Sequence, residues 1–127
     1  HDGPKAVLIN VYSSSGGEAF PFYFRQLGLG PLIGTRPWGG LIGISGNPLL
    51  ADNGGILTST FRMLDTEGKW VVENEGVAPD MEVIDRPELI AAGQDPSLEA
   101  GVRYLLEQLE QNPPTALKVE DPPSDFR

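Results

Sequence analysis

The sequence predicts an α/β domain with a largely parallel sheet, an antiparallel hairpin excursion and a C-terminal helix. Three observations carry this. A short apolar run, Ala6-Val-Leu-Ile-Asn-Val11, precedes a helical apolar pattern and then a second run at Leu32-Ile-Gly-Thr35. A strand, a crossover helix and a strand in that order pair in parallel by default. Turn signals then crowd the middle of the chain, and residues 96–111 carry the clearest helical stripe.

The elements follow in order. The unbroken run at 6–11 suits a strand buried on both faces, since a half-exposed strand would alternate. Phe20, Tyr23, Phe24 and Leu27 are spaced i, i+3, i+4, i+7, which predicts an amphipathic helix facing the core with that stripe. Pro21 is placed in its first turn, where a missing N–H costs little, and Gly28 and Gly30 close it. Beyond the second strand, Trp38-Gly-Gly40, Gly46-Asn-Pro48 and Asp52-Asn-Gly-Gly55 separate three short β-type runs, Leu41–Ile44, Leu49–Ala51 and Ile56–Arg62. These predict the hairpin excursion. Asp65-Thr-Glu-Gly68 is a further turn, with Lys69–Val72 extended after it and a short strand at Met81–Ile84. Asp95-Pro96 supplies an N-cap and a first-turn proline for a helix over 96–111, with a stripe of Leu98, Val102, Leu105, Leu106 and Leu109. Residues 113–127 read as a proline-rich, acidic tail.

A chain of 127 residues is sized for one domain, long enough to bury a single core. Its 16 glycines and 12 prolines assign much of that length to turns and loops. The formal net charge of -9 argues against nucleic acid or an anionic membrane as partner. With no cysteine, disulfides, thiolate metal sites and a cysteine nucleophile are excluded, and the single histidine, His1, excludes a three-histidine metal site within the chain. No apolar run approaches the roughly 18–20 residues that span a bilayer. The first residues, His-Asp-Gly-Pro-Lys, do not form a signal peptide and read as the start of an excised piece.

The chemistry concentrates in Val11-Tyr-Ser-Ser-Ser-Gly-Gly-Glu18. Serine and glycine ahead of a helix are ordinary loop and cap residues. This corner, however, follows an apolar strand and opens an apolar helix, so the first helical N–H groups point at it. Gly16 and Gly17 let another backbone approach closely. The lipase-type G-x-S-x-G elbow requires glycine at 13 and 17, and only Gly17 matches. The logic of a serine at a strand–helix corner beside an oxyanion-binding N–H survives that mismatch. No base accompanies it: an α/β-hydrolase arrangement needs a downstream histidine, and residues 16–127 contain none.

Longer stretches carry a resemblance. "SSSGGEAFPFYFRQLGLGPLIGTRPWGG", "VENEGVAPDMEV" and "PSDFR" resemble the C-terminal catalytic domain of the tricorn proteases, in the serine peptidase clan that also holds the carboxyl-terminal processing peptidases. The similarity runs over essentially the whole chain. It implies a partial crotonase/ClpP-like spiral fold, a peptide or polypeptide substrate, no cofactor or metal, and a homo-oligomer, a hexamer in that family. The expected compartment is the cytoplasm.

By that resemblance the nucleophile falls on Ser15, the oxyanion N–H on Gly16 and the charge-relay glutamate on Glu73. Ser13 and Ser14 are then scaffold. Processing peptidases use a lysine base in a Thr-Phe-Gly-Lys-Gly turn, but here the turn reads Arg36-Pro-Trp-Gly-Gly40 and its lysine position holds Gly40. A serine–lysine dyad is therefore disfavoured. Arg36, Trp38, Gly39 and Gly40 become candidate substrate-binding residues. The family's base histidine, its adjoining serine and its second oxyanion glycine lie upstream of the strand that starts here at Lys5. Residues 1–127 accordingly read as the distal part of a catalytic core, inactive alone, with the upstream part of the parent chain as a required partner. The alternative is a non-catalytic peptide-binding or assembly module.

Overall fold

The computed structural model describes residues 3–115 and residue 119. Predictions for the tail beyond Thr115, Val119 apart, and for His1 lie outside these residues. Six elements run in the order β1 (Val7–Ile9), α1 (Gly16–Gln26), β2 (Leu32–Gly34), β3 (Met81–Glu82), α2 (Pro87–Ala91) and α3 (Pro96–Gln111). The strands form one parallel sheet, β1-β2-β3, with Val7 opposite Leu32, Ile9 opposite Gly34, and Ile33 opposite Met81. The expected strand–helix–strand unit is present, and all three residues of β2 are buried.

β1 is shorter than the apolar run from which it was predicted, and it is not buried on both faces: Leu8 remains partly exposed. Its alternation divides two layers. Val7 and Ile9 face a core with Phe24, Leu32, Leu41, Val72 and Val77. Leu8 faces α3, where a methyl group added at Gly101 would stand 3.2 Å from Leu8 Cδ2. Backbone and carboxylate also tie the layers together. Asp80 Oδ2 accepts the Leu32 N–H at 2.7 Å, and its Oδ1 lies 3.0 Å from Arg25 at the end of α1.

The helices are found where the sequence places them, but their buried faces differ. α1 buries Glu18, Pro21 and Phe24, while Phe20, Tyr23 and Leu27 of the predicted stripe are exposed. The inward face includes Glu18, whose Oε1 accepts the N–H groups of Gly39 and Gly40. Pro21 lies in the second turn, not the first; the carbonyl it leaves unpaired belongs to exposed Gly17 and is open to water. α3 is capped as predicted, with Asp95 Oδ1 accepting from the Leu98 N–H at 3.0 Å. It buries the small residues Ser97, Ala100 and Gly101, because only a shallow face fits close to the sheet; Leu98, Val102 and Leu106 point outward. The five-residue α2 is too short to show a period and was not predicted. It begins at Pro87 in the first-turn position.

The excursion is antiparallel but not built of continuous strands. Only isolated bridges occur, Gly43 with Phe61, Leu49 with Gly55 and Leu64 with Trp70. The reason lies partly at Leu41 and Ile42, whose N–H groups bond a carboxylate instead of a neighbouring strand. The turn at Asp65 forms as expected, with its Oδ1 accepting the N–H groups of Glu67 and Lys69, both at 2.9 Å.

Candidate active site

Ser15 stands between the strand-and-turn segment and α1 as the N-cap residue. Upstream, Asn10 organises the corner: its Oδ1 accepts the Tyr12 N–H at 3.0 Å and its carbonyl accepts the Ser13 N–H at 3.0 Å. The Asn10 N–H in turn donates to Ser13 Oγ at 3.3 Å, and the Ser14 carbonyl accepts the Gly17 N–H at 2.8 Å. Ser15 itself has φ 52° and ψ -115°. A non-glycine residue in that region costs of order 1–3 kcal/mol and persists only where the surroundings impose it.

The surroundings do impose it. The Ser15 N–H donates to the Gly40 carbonyl at 2.7 Å, while its own carbonyl accepts the N–H groups of Glu18 and Ala19, both at 2.9 Å. Its side chain makes no capping bond. Ser15, Gly16 and Gly17 are all exposed. Among the described residues the Gly16 N–H has no hydrogen-bond partner, and beyond its chain neighbours and its own helix backbone nothing lies within 4 Å of where a Gly16 Cβ would be. An uncommitted hydroxyl thus stands next to an uncommitted N–H at the positive end of an eleven-residue helix.

Glu73 reaches the same place from a different loop. Val72 and Asn74 on either side both have positive φ, 68° and 63°, which turns the Glu73 side chain inward while the chain reverses. Glu73 Oε2 accepts the Leu41 N–H at 2.8 Å and the Ile42 N–H at 2.6 Å. The peptide group joining Gly40 to Leu41 therefore links the two residues, its carbonyl on the Ser15 N–H and its N–H on Glu73.

The Arg36–Gly40 turn is divided in its exposure. Arg36 donates to the Glu75 carbonyl at 3.2 Å, and Trp38 projects outward, 64% exposed. Gly39 is buried, accepting from the Asn74 N–H at 2.8 Å and donating to Glu18. It has φ +91°, and a Cβ there would come within 2.7 Å of the Glu75 nitrogen, so only glycine allows the two loops to meet. Gly39 and Gly40 both have their N–H groups engaged within the protein; Trp38 and Arg36 are the members of the turn open to a ligand.

Glu18 is the residue that inspection of the sequence left aside. It is completely buried, and its Oε1 accepts the Gly39 N–H at 2.8 Å and the Gly40 N–H at 2.7 Å. Glu18 and Glu73 together hold four consecutive N–H groups, 39 to 42. An available signal was the Ser-x-x-Glu spacing, which marks a glutamate at the third helical position.

The model of peptidase family S41 matches residues 1–83. The chain belongs to peptidase family S41. Within it, the chain is 40% identical over 123 residues to "Tricorn protease homolog 1" of Streptomyces coelicolor, covering 96% of this chain and 11% of that protein. It is 37% identical over 107 residues to "Tricorn protease" of Thermoplasma acidophilum, covering 84% and 10%. A crystal structure of the tricorn protease superposes with a TM-score of 0.79 at 37% identity, over 85% of this chain and 11% of that one. The photosystem II D1 C-terminal processing protease shares the fold, with a TM-score of 0.57 at 24% identity. The expected tricorn-type relationship is thus found, and this S41 chain spans about a tenth of the length of the curated relatives it matches. Among its described residues no helix is long and apolar enough to cross a membrane.

Proposed function

We propose that this chain is the nucleophile-bearing part of a tricorn-type serine endopeptidase. The observation that carries the reading is the backbone of exposed Ser15, held at φ 52° and ψ -115° with no capping bond from its side chain among the described residues. A strained, unsatisfied serine at a strand–helix corner is expensive to maintain and has an evident chemical use.

In this reading Ser15 Oγ attacks the scissile carbonyl carbon while its proton passes to a base. The carbonyl oxygen, now negative, moves toward the Gly16 N–H and the helix N-terminus, which favour negative charge. The C–N bond then breaks, the base returns the proton to the leaving amine, and water hydrolyses the acyl-enzyme by the same steps. Glu73 is the charge-relay carboxylate: Oε2 is fixed by the two N–H groups of Leu41 and Ile42, which leaves Oε1 to orient a partner. The base is a histidine from chain outside these 127 residues, since the only histidine here is residue 1. Trp38 and Arg36 flank the substrate path. The isolated chain is accordingly inactive.

The spiral crotonase-like completion of the fold and the homo-oligomer belong to the same reading. They are supported by the outward apolar row on α3, where Leu98, Val102 and Leu106 are 49%, 46% and 56% exposed, a row that suits burial against further chain.

A fluorophosphonate probe tests the assignment on the full-length protein. Labelling is expected at Ser15 and lost in Ser15→Ala. An intact full-length protein that hydrolyses peptides equally well as Ser15→Ala would overturn it.

A further inference from the structure

We infer that Glu18 is a positioning residue for Ser15: it diverts the helix cap to the Gly39-Gly40 pair and so leaves the serine hydroxyl free to react. This rests on the reading of Ser15 as the nucleophile.

The sequence Ser15-Gly-Gly-Glu18 has the spacing of a capping box. In a local box the serine oxygen accepts the N–H three residues on, and the glutamate reaches back to the serine N–H. Neither bond forms here. Ser15 makes no side-chain cap bond, and its N–H goes to the Gly40 carbonyl at 2.7 Å. The Glu18 carboxylate turns away from its own helix to the N–H groups of Gly39 at 2.8 Å and Gly40 at 2.7 Å. The serine N–H and the glutamate carboxylate both turn to the neighbouring loop, and the hydroxyl half of the box is left unmade.

Two consequences follow for Ser15. Its hydroxyl is not used as a helix cap. Its backbone also leaves the extended conformation usual for an N-cap residue and takes φ 52° and ψ -115°. The Gly40 carbonyl that fixes this geometry belongs to a residue whose N–H is held by Glu18. Losing the Glu18 acceptor would release Gly39 and Gly40, let Ser15 relax to an extended N-cap, and return its hydroxyl to the helix.

The burial of Glu18 also points to geometry over stability. It is 0% exposed, and among the described residues its Oε2 has no hydrogen-bond partner. A buried carboxylate with one oxygen unsatisfied is a poor way to stabilise a fold. It is a good way to fix two adjacent N–H groups, because a single oxygen, Oε1, accepts both at 2.8 and 2.7 Å.

The test compares wild type, Glu18→Asp, Glu18→Gln and Ser15→Ala in the full-length peptidase. The readouts are kcat and KM on a peptide, the rate of fluorophosphonate labelling, and thermal unfolding. Aspartate keeps the carboxyl group but is one methylene too short to reach Gly39 and Gly40. It is expected to lower kcat and labelling about a hundredfold, the penalty of a displacement near 1 Å, with KM within about twofold. Glutamine retains a carbonyl oxygen at the position of Oε1 and is expected to recover at least about a tenfold part of that loss. The inference is overturned by a folded Glu18→Asp with wild-type kcat and labelling, by a loss expressed only in KM, or by a glutamine no better than aspartate. It is equally overturned if both variants fail to fold, since Glu18 would then be a determinant of the fold. Hydrolysis surviving in Ser15→Ala would instead remove the nucleophile reading, whatever Glu18 does.

Discussion

The Ser15 N–H donates to the Gly40 carbonyl at 2.7 Å, joining two residues that are 25 positions apart in sequence. That bond fixes the corner on which the proposed chemistry depends, because it is made only when the 36–42 segment lies beside the start of α1. Everything that holds this segment in place therefore bears on Ser15, and the predictions below concern those supports.

Replacing Ser15 with glycine separates strain from chemistry. Glycine accepts a positive φ without penalty, so Ser15→Gly is expected to stabilise the full-length protein by about 1 kcal/mol while abolishing labelling and hydrolysis. Thermal unfolding and an activity assay on one preparation suffice. A variant less stable than wild type would show that Ser15 is not under backbone strain.

Glu73 is expected to divide into two effects. Glu73→Ala leaves the half-buried N–H groups of Leu41 and Ile42 without an acceptor, costing about 1–3 kcal/mol for each group left unpaired. Glu73→Gln keeps an acceptor, so stability should hold while kcat falls at least about tenfold through loss of the relay charge. Denaturant unfolding alongside kcat measures both. Equal activity in Glu73→Gln and wild type would remove Glu73 from the relay.

Gly39→Ala is expected to disrupt the site from behind. The added methyl would meet the Glu75 nitrogen at 2.7 Å at a φ of +91°, so both sterics and backbone oppose it. A stability loss above about 2 kcal/mol is expected, together with slower labelling of Ser15, although residue 39 is itself buried. Labelling at the wild-type rate would show that the loop and the serine are uncoupled.

Asp80 provides the contrast. It joins β2 to the end of α1 through the Leu32 N–H and Arg25, on the sheet rather than at the serine corner. Asp80→Ala is expected to cost about 1–3 kcal/mol, mostly from the Leu32 N–H, since a partly exposed ion pair contributes little. Labelling of the folded fraction should be unchanged. A fall in labelling with the fold intact would place Asp80 in the site's support.

Local signals in the sequence were sufficient for much of this. The apolar runs at 6–11 and 32–35 with a helical stretch between them determined a parallel strand–helix–strand unit, since few other topologies bury two such runs joined by a helix. Asp95-Pro96 determined where α3 begins, because capping is decided within one turn of chain. Serines and glycines placed between an apolar strand and an apolar helix marked the corner, and the family resemblance singled out Ser15 there and Glu73 in a distant loop.

What the sequence could not fix was direction. The apolar stripes of α1 and α3 both predicted an inward face, yet Glu18, Pro21 and Phe24 are buried on one helix, and Ser97, Ala100 and Gly101 on the other. On α1 Glu18 turns inward to the N–H groups of Gly39 and Gly40, and on α3 close approach to the sheet required small residues. The excursion likewise lost its continuous strands once Glu73 took the N–H groups of Leu41 and Ile42. Each of these outcomes depends on groups more than 20 positions apart meeting in space. Only the tertiary structure brings them together, because no local stretch of chain contains both partners.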